Sequence, residues 1–137
     1  MDGELVPPAS GQYIDNFDPA IGKVYSLVPD SDKRDVEAAV TATGNAFPAW
    51  STTPTEERSR ILFRIADLVE RDLEKFVLAE SIDNGKPVEQ ARNLDIPRAV
   101  SNLRFFASAI TQFATEAHAM ENAVINYTLR SPIGIAG

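Results

Sequence analysis

Asp83-Asn84-Gly85-Lys86-Pro87 closes one long amphipathic stretch and opens another. Gly85 sits where a helix end needs a left-handed residue, and Pro87 suits the first turn of a following helix. A stop fused so tightly to a start leaves little slack between the two elements. Two more compact signatures flank this corner: Ala46-Phe47-Pro48-Ala49-Trp50 upstream and Leu94-Asp95-Ile96-Pro97-Arg98 downstream.

Working back from the corner, apolar residues at 61, 65, 68, 69, 73, 76 and 77 keep a 3.6-residue period. They predict one continuous helix to about Ile82. Thr53-Pro54-Thr55-Glu56 reads as its start, with Thr53 and Glu56 as reciprocal caps and Pro54 at the first helical position. Before it, Asp30 or Ser31 can cap a helix to about Phe47, with Val36, Val40, Thr43 and Phe47 on one face. Tyr13–Phe17 and Lys23–Val28 flank the turn signal Asp18-Pro19-Ala20-Ile21-Gly22, the pattern of a small hairpin. Residues 1–12 read as a flexible leader.

Forward from the corner, residues 88–115 form a third helical region that Pro97 should kink or restart. Val100, Leu103, Phe106, Ala107, Ile110 and Phe113 then give it a wide apolar face. Ala123–Leu129 turns strand-like, and Ser131–Gly137 leads into a further apolar strand. The strands show no obvious partners within the chain. The whole is mainly α-helical, with a short N-terminal β-hairpin and a C-terminal strand.

At 137 residues, 44% hydrophobic and 24% charged, the composition is that of one globular domain. A net charge of −7 argues against nucleic acid as a partner and fits an anionic membrane surface poorly. No apolar run approaches the ~20 residues of a membrane span. The N-terminus lacks a basic n-region and an apolar h-region, so the expected compartment is cytoplasmic. With no cysteine, the chain has neither a disulfide framework nor a cysteine nucleophile.

Few residues carry chemistry. His118, the one histidine, falls close to the end of the third helix, where a helix-terminal cation is its ordinary role. Glycines at 3, 11, 22, 44, 85, 134 and 137 form no phosphate-cradling loop. Arg98 follows a helix break, and its planar fork suits bidentate pairing with a carboxylate. From spacing alone, that carboxylate is either a ligand's or that of Asp95. Asp83 can bond locally at its helix end or lend an oxygen to a hard cation.

Taken together, these signatures resemble the N-terminal part of the aldehyde dehydrogenase superfamily. Asp18-Pro19-Ala20-Ile21-Gly22-Lys23-Val24, Asp35–Val40, Ala46–Trp50, Arg60–Glu70, Asp83–Pro87, Arg104–Ala107 and Arg130–Gly137 appear in the family's order, covering nearly everything from Tyr13 onward. Ile21 and Gly44 depart from the usual residues. Leu94–Arg98 with Asn102–Ala107 narrows the resemblance to the subgroup that oxidises muconic semialdehydes.

The resemblance implies an α/β parent fold, with 13–122 as the helical and hairpin part of an NAD-binding domain. It implies that 123–137 is an oligomerisation-type strand leading into the nucleotide-binding region. It places Arg98 on a substrate carboxylate and Leu94 on the same tunnel wall. Asp83, with the backbone of Asn16 and Phe17, would hold a structural monovalent cation. The family's cysteine nucleophile, glutamate base and nucleotide loop would all lie beyond Gly137. No catalytic and no NAD-binding residue is therefore expected in this chain, and the chain alone is expected to be inactive. NAD, the aldehyde substrate and homo-oligomer assembly belong to the full-length context. The other reading is a stand-alone helical module with a regulatory or crystallin-like structural role. Without the parent sheet, the apolar faces of 61–77 and 100–113 should be partly bare.

Overall fold

The computed structural model describes residues 1–136; Gly137, the last residue of the C-terminal signature, lies outside the described residues. Strands β1 (Tyr13–Asp18) and β2 (Lys23–Pro29) pair antiparallel as the expected hairpin, with a register shift between Asn16 and Phe17. At the tip the Asp18 carboxylate accepts from the Ala20 amide at 2.8 Å, and the Asp18 carbonyl accepts from that of Gly22. The leader is tied at its far end. The buried Asp35 carboxylate accepts from the Ala9 amide at 2.9 Å.

Helix α1 (Lys33–Ser51) starts two residues later than the Asp30 reading. Its cap is Asp32, in a reciprocal box with Asp35. It also runs past Phe47 and through Pro48 to Ser51. Hydroxyls finish it: Ser51 and Thr52 donate to the Pro48 carbonyl, and Thr53 donates to that of Ala49. Thr53 is thereby spent on the end of α1 and does not cap the next helix. Helix α2 (Thr55–Arg71) starts behind Pro54 without a side-chain cap, which corrects the capping-box expectation.

The expected continuous helix to Ile82 is divided. Asp72, at φ −100° and ψ 25°, ends α2 and precedes α3 (Leu73–Asn84). Its carboxylate is held by Arg71 at 2.7 Å and Lys75 at 3.3 Å, and aspartate is a poor helix-interior residue. Gly85 ends α3 in the left-handed region at φ 74°, as the sequence demands. Pro87 immediately precedes a short helical turn, α4 (Val88–Gln90). The chain then widens into a π turn at Ala91–Asp95, where the Ile96 amide donates to the Ala91 carbonyl, and continues as α5 (Ile96–Gln112). Pro97 lies in the first turn of α5. The missing proline donor is absorbed by the wider turn, so the path bends without stopping.

Helices α2 and α5 share the main interface. Ala66 and Ala107 are fully buried there, and the Ser59 hydroxyl donates to the Ala107 carbonyl at 2.7 Å. Arg104 on α5 reaches Asp67 at 2.8 Å and Glu70 at 2.7 Å on α2. A second small core joins α3 to the π turn through Val77, Ala91 and Ile96, with Val69 and Leu73 packed against it.

Beyond Gln112 the chain leaves the helix for two short strands joined through a turn at Glu121–Ala123. His118 therefore lies in strand β3 (Ala117–Ala119), not near a helix end, and stands 3.6 Å from Glu116. Strand β4 (Ile125–Tyr127) is shorter than the expected 123–129 and finds a partner within the chain, pairing antiparallel with β3. No helix among the described residues is long and apolar enough to cross a membrane.

The accessible surface is 10,621 Å² for 15.0 kDa. A compact monomer of this mass exposes about 7,000 Å². Large apolar side chains contribute to it: Phe63, Ile65 and Leu68 on α2 and Phe105, Phe106 and Phe113 at α5 are all exposed. The faces expected to be partly bare are so. On α1 the stripe of Val36 and Val40 is exposed as well.

Candidate functional site

Two adjoining clusters form around the Asp83–Pro87 corner. In the first, the hairpin meets the end of α3. Asp83 Oδ1 accepts from the Tyr25 hydroxyl and, at 3.1 Å, from Asn16 Nδ2. The Tyr25 bond, then the Asn16 bond, holds the Asp83 carboxyl below its ordinary range, and the same carboxylate raises the Tyr25 phenol above its own. Gly85 seals the contact. A Cβ built there would stand 3.1 Å from Pro19 Cβ, so both its conformation and its missing side chain are used. Asp83 and Asn16 thus meet side chain to side chain, with Tyr25, in a hydrogen-bonded clasp.

In the second cluster Lys86 is the hub. Its backbone is fixed on both sides: its amide donates to Asn84 Oδ1 at 3.0 Å, and its carbonyl accepts from the Ser81 hydroxyl at 2.7 Å. Its ammonium lies 2.8 Å from Glu80 and 2.8 Å from Asp95. Asp95, then Glu80, pushes the Lys86 pKa above its ordinary value. Next to it, Arg92 pairs with Glu74 at 2.8 Å and with Glu89, closing the π turn onto α3.

Arg98 stands one turn beyond, exposed, with no ion pair or hydrogen bond among the described residues. The alternative in which it pairs with Asp95 does not hold, because Asp95 is taken by Lys86. Leu94 is 51% exposed on the same helical path. Sequence reasoning passed over Lys86 and Tyr25. Lys86 was visible inside the corner motif, but its partner nine residues on lies across a helix junction and carries no spacing signal. Tyr25 is 58 residues from Asp83 and could be found only in three dimensions.

Among the described residues around this corner, the arrangement offers the Arg98 guanidinium without a partner, an exposed apolar Leu94 four positions before it, and no nucleophile–base pair. Among the described residues, no group of three or more histidines or carboxylates is placed to hold a metal ion.

Residues 5–137 match the model of the aldehyde dehydrogenase family. The human 2-aminomuconic semialdehyde dehydrogenase is 48% identical over 138 residues, covering 100% of this chain and 28% of that protein. The aldehyde dehydrogenase KauB of Pseudomonas aeruginosa superposes with a TM-score of 0.92 at 32% identity, covering 98% of this chain and 28% of that one. A P. syringae indole-3-acetaldehyde dehydrogenase variant in complex with NAD+ and IAA gives 0.92 at 29% identity, with the same coverage. The chain thus spans a little over a quarter of the length of the relatives it matches.

Proposed function

The chain belongs to the aldehyde dehydrogenase family, and from that premise we propose that it serves as the N-terminal portion of an NAD-dependent enzyme that oxidises a carboxylate-bearing semialdehyde to the acid. The substrate class follows the human relative, a 2-aminomuconic semialdehyde dehydrogenase. The observation that carries the reading is the free Arg98 guanidinium. A cation without a partner among the described residues, four positions after exposed Leu94 on the same helical path, suits a carboxylate held in two parallel hydrogen bonds, with Leu94 flanking the carbon chain. Such a contact orients the aldehyde end away from Arg98.

The role of this chain is therefore recognition. It holds no cysteine, and its scattered glycines do not fit a nucleotide loop, so thiol attack and hydride transfer are assigned to residues outside 1–137. NAD, where bound, accepts the hydride. By itself the chain is inactive. The bare faces of α2 and α5 support packing against further polypeptide, and exposed β4 supports a strand-mediated homo-oligomer; a cytoplasmic location belongs to the same proposal. A structural monovalent cation near Asp83, Asn16 and Phe17 belongs to the same proposal. It would draw on Asp83 Oδ2, because Oδ1 is committed to Tyr25 and Asn16.

The test is Arg98→Ala in the complete enzyme. We expect KM for a carboxylate-bearing semialdehyde to rise about tenfold or more, the cost of one lost charge-assisted pair. A neutral aldehyde of similar length should change less than twofold. Equal effects on both substrates would reduce Arg98 to a structural residue.

A further inference from the structure

The freedom of Arg98 needs an explanation, because a carboxylate lies within its reach. Asp95 precedes it by three residues, and on a helical path oppositely charged side chains at that spacing meet. Left alone, Asp95 would occupy the guanidinium, and an incoming carboxylate would have to displace it. In the structure Asp95 Oδ2 instead lies 2.8 Å from Lys86 Nζ. We propose that Lys86 is a positioning residue for substrate recognition: by holding Asp95, it keeps that carboxylate off Arg98 and leaves the guanidinium open to the substrate. This rests on the reading of Arg98 given above.

Three features make Lys86 suited to the task. Its backbone is pinned by Asn84 and Ser81 directly after the left-handed Gly85, so the ammonium is aimed before any ligand arrives. Its side chain is only 24% exposed, and that of Asp95 only 27%, which screens the pair less than an open surface pair. Glu80, also at 2.8 Å, holds the ammonium from a second side. Lys86 touches neither Leu94 nor Arg98 through any hydrogen bond or ion pair, so its effect passes through Asp95.

The experiment compares Lys86→Gln, Asp95→Asn and the double variant in the complete enzyme, with Arg98→Ala alongside. The substrates are a carboxylate-bearing semialdehyde and a neutral aldehyde of the same length. Lys86→Gln should raise KM for the carboxylate-bearing substrate about fivefold, the effect of one competing ion pair, with kcat within twofold and the neutral substrate unmoved. Adding Asp95→Asn should restore KM, since the competitor is then uncharged. Asp95→Asn alone should leave both substrates within twofold.

If Lys86→Gln impairs both substrates alike, or if the double variant stays as poor as the single one, Lys86 is only structural and the proposal fails. Should Lys86→Gln not fold, Asp95→Asn decides: a selective KM rise of fivefold or more in that variant also overturns it. If Arg98→Ala fails to discriminate between the substrates, the recognition reading has fallen, and this inference with it. Selectivity in Arg98→Ala without selectivity in Lys86→Gln would sink this inference alone.

Discussion

The corner from Asp83 to Arg98 and the run from Thr111 to Ala136 are built on opposite principles. In the corner a left-handed glycine, a proline, a π turn and a lysine between two carboxylates lock together around Val77, Ala91 and Ile96. In the run, every described residue is exposed, and the two three-residue strands pair only with each other. Its few ties include the Arg130 guanidinium 4.3 Å over the Phe113 ring. Ala123, between β3 and β4, adopts φ 59°, where a side chain is disfavoured by about 1–2 kcal/mol. The contrast teaches where this chain is self-sufficient and where it presents surface for others to cover.

The largest expected effect separates the two regions directly. Ile96→Ala removes a side chain that is 8% exposed and should cost about 2–5 kcal/mol, whereas Ile125→Ala, at 67% exposed, should stay within about 0.5 kcal/mol. Urea unfolding followed by circular dichroism reads both. Comparable losses would erase the distinction between the two regions.

A smaller effect sharpens the corner itself. Gly85→Ala forces a Cβ into the left-handed region and against Pro19, and should destabilise by about 1–2 kcal/mol. Hydrogen exchange should locate the loss at the hairpin and the end of α3. A uniform loss across α2 and α5 would show that Gly85 does more than join hairpin to helix.

The smallest effect depends on pH. The folded-state pKa of Asp83 lies below its ordinary value of 3.8, so its contribution is present above that value and fades as pH falls through the folded pKa. Tyr25 is raised above 10.0, so its contribution is complete below that value and fades as pH climbs through the folded pKa. Amide protection in β1 and β2 should therefore plateau between about pH 4 and 10 and decline on both sides. In Tyr25→Phe the alkaline limb should vanish and the acid limb weaken. A wild-type profile in that variant would show that the clasp is not the source.

Much of this was legible in the sequence, and the pattern of success follows the range of the forces. The hairpin and the Gly85 stop were readable because turn chemistry is local: Asp18–Gly22 and Asp83–Pro87 each contain all the residues that make them. The family was readable because seven such pieces stand in order. The division at Asp72 was not, since a 3.6-residue stripe continues smoothly across it. Thr53 misled because its hydroxyl had two helices to serve, and the earlier one won. At the candidate site, Arg98 and Asp83 could be singled out by residue type. Their partners could not, because the Tyr25–Asp83 and Lys86–Asp95 contacts depend on how α3 meets the hairpin and the π turn.

The π turn has one more consequence, in angular terms. Along an ideal α-helix residues five apart point about 140° away from each other, so Ala91 and Ile96 would face different neighbours. Closing a turn on the fifth residue brings them to one side, and both reach Val77. The turn thus acts as a phase shifter. It rotates everything after Asp95 relative to everything before, so that α5 can give Ile96 to one core and Val100 and Ala107 to the interior while Arg98 points to solvent. Deleting a single residue from Ala91–Asp95 would undo that rotation and turn Arg98 away from its present outlook, with no change to any residue outside the turn.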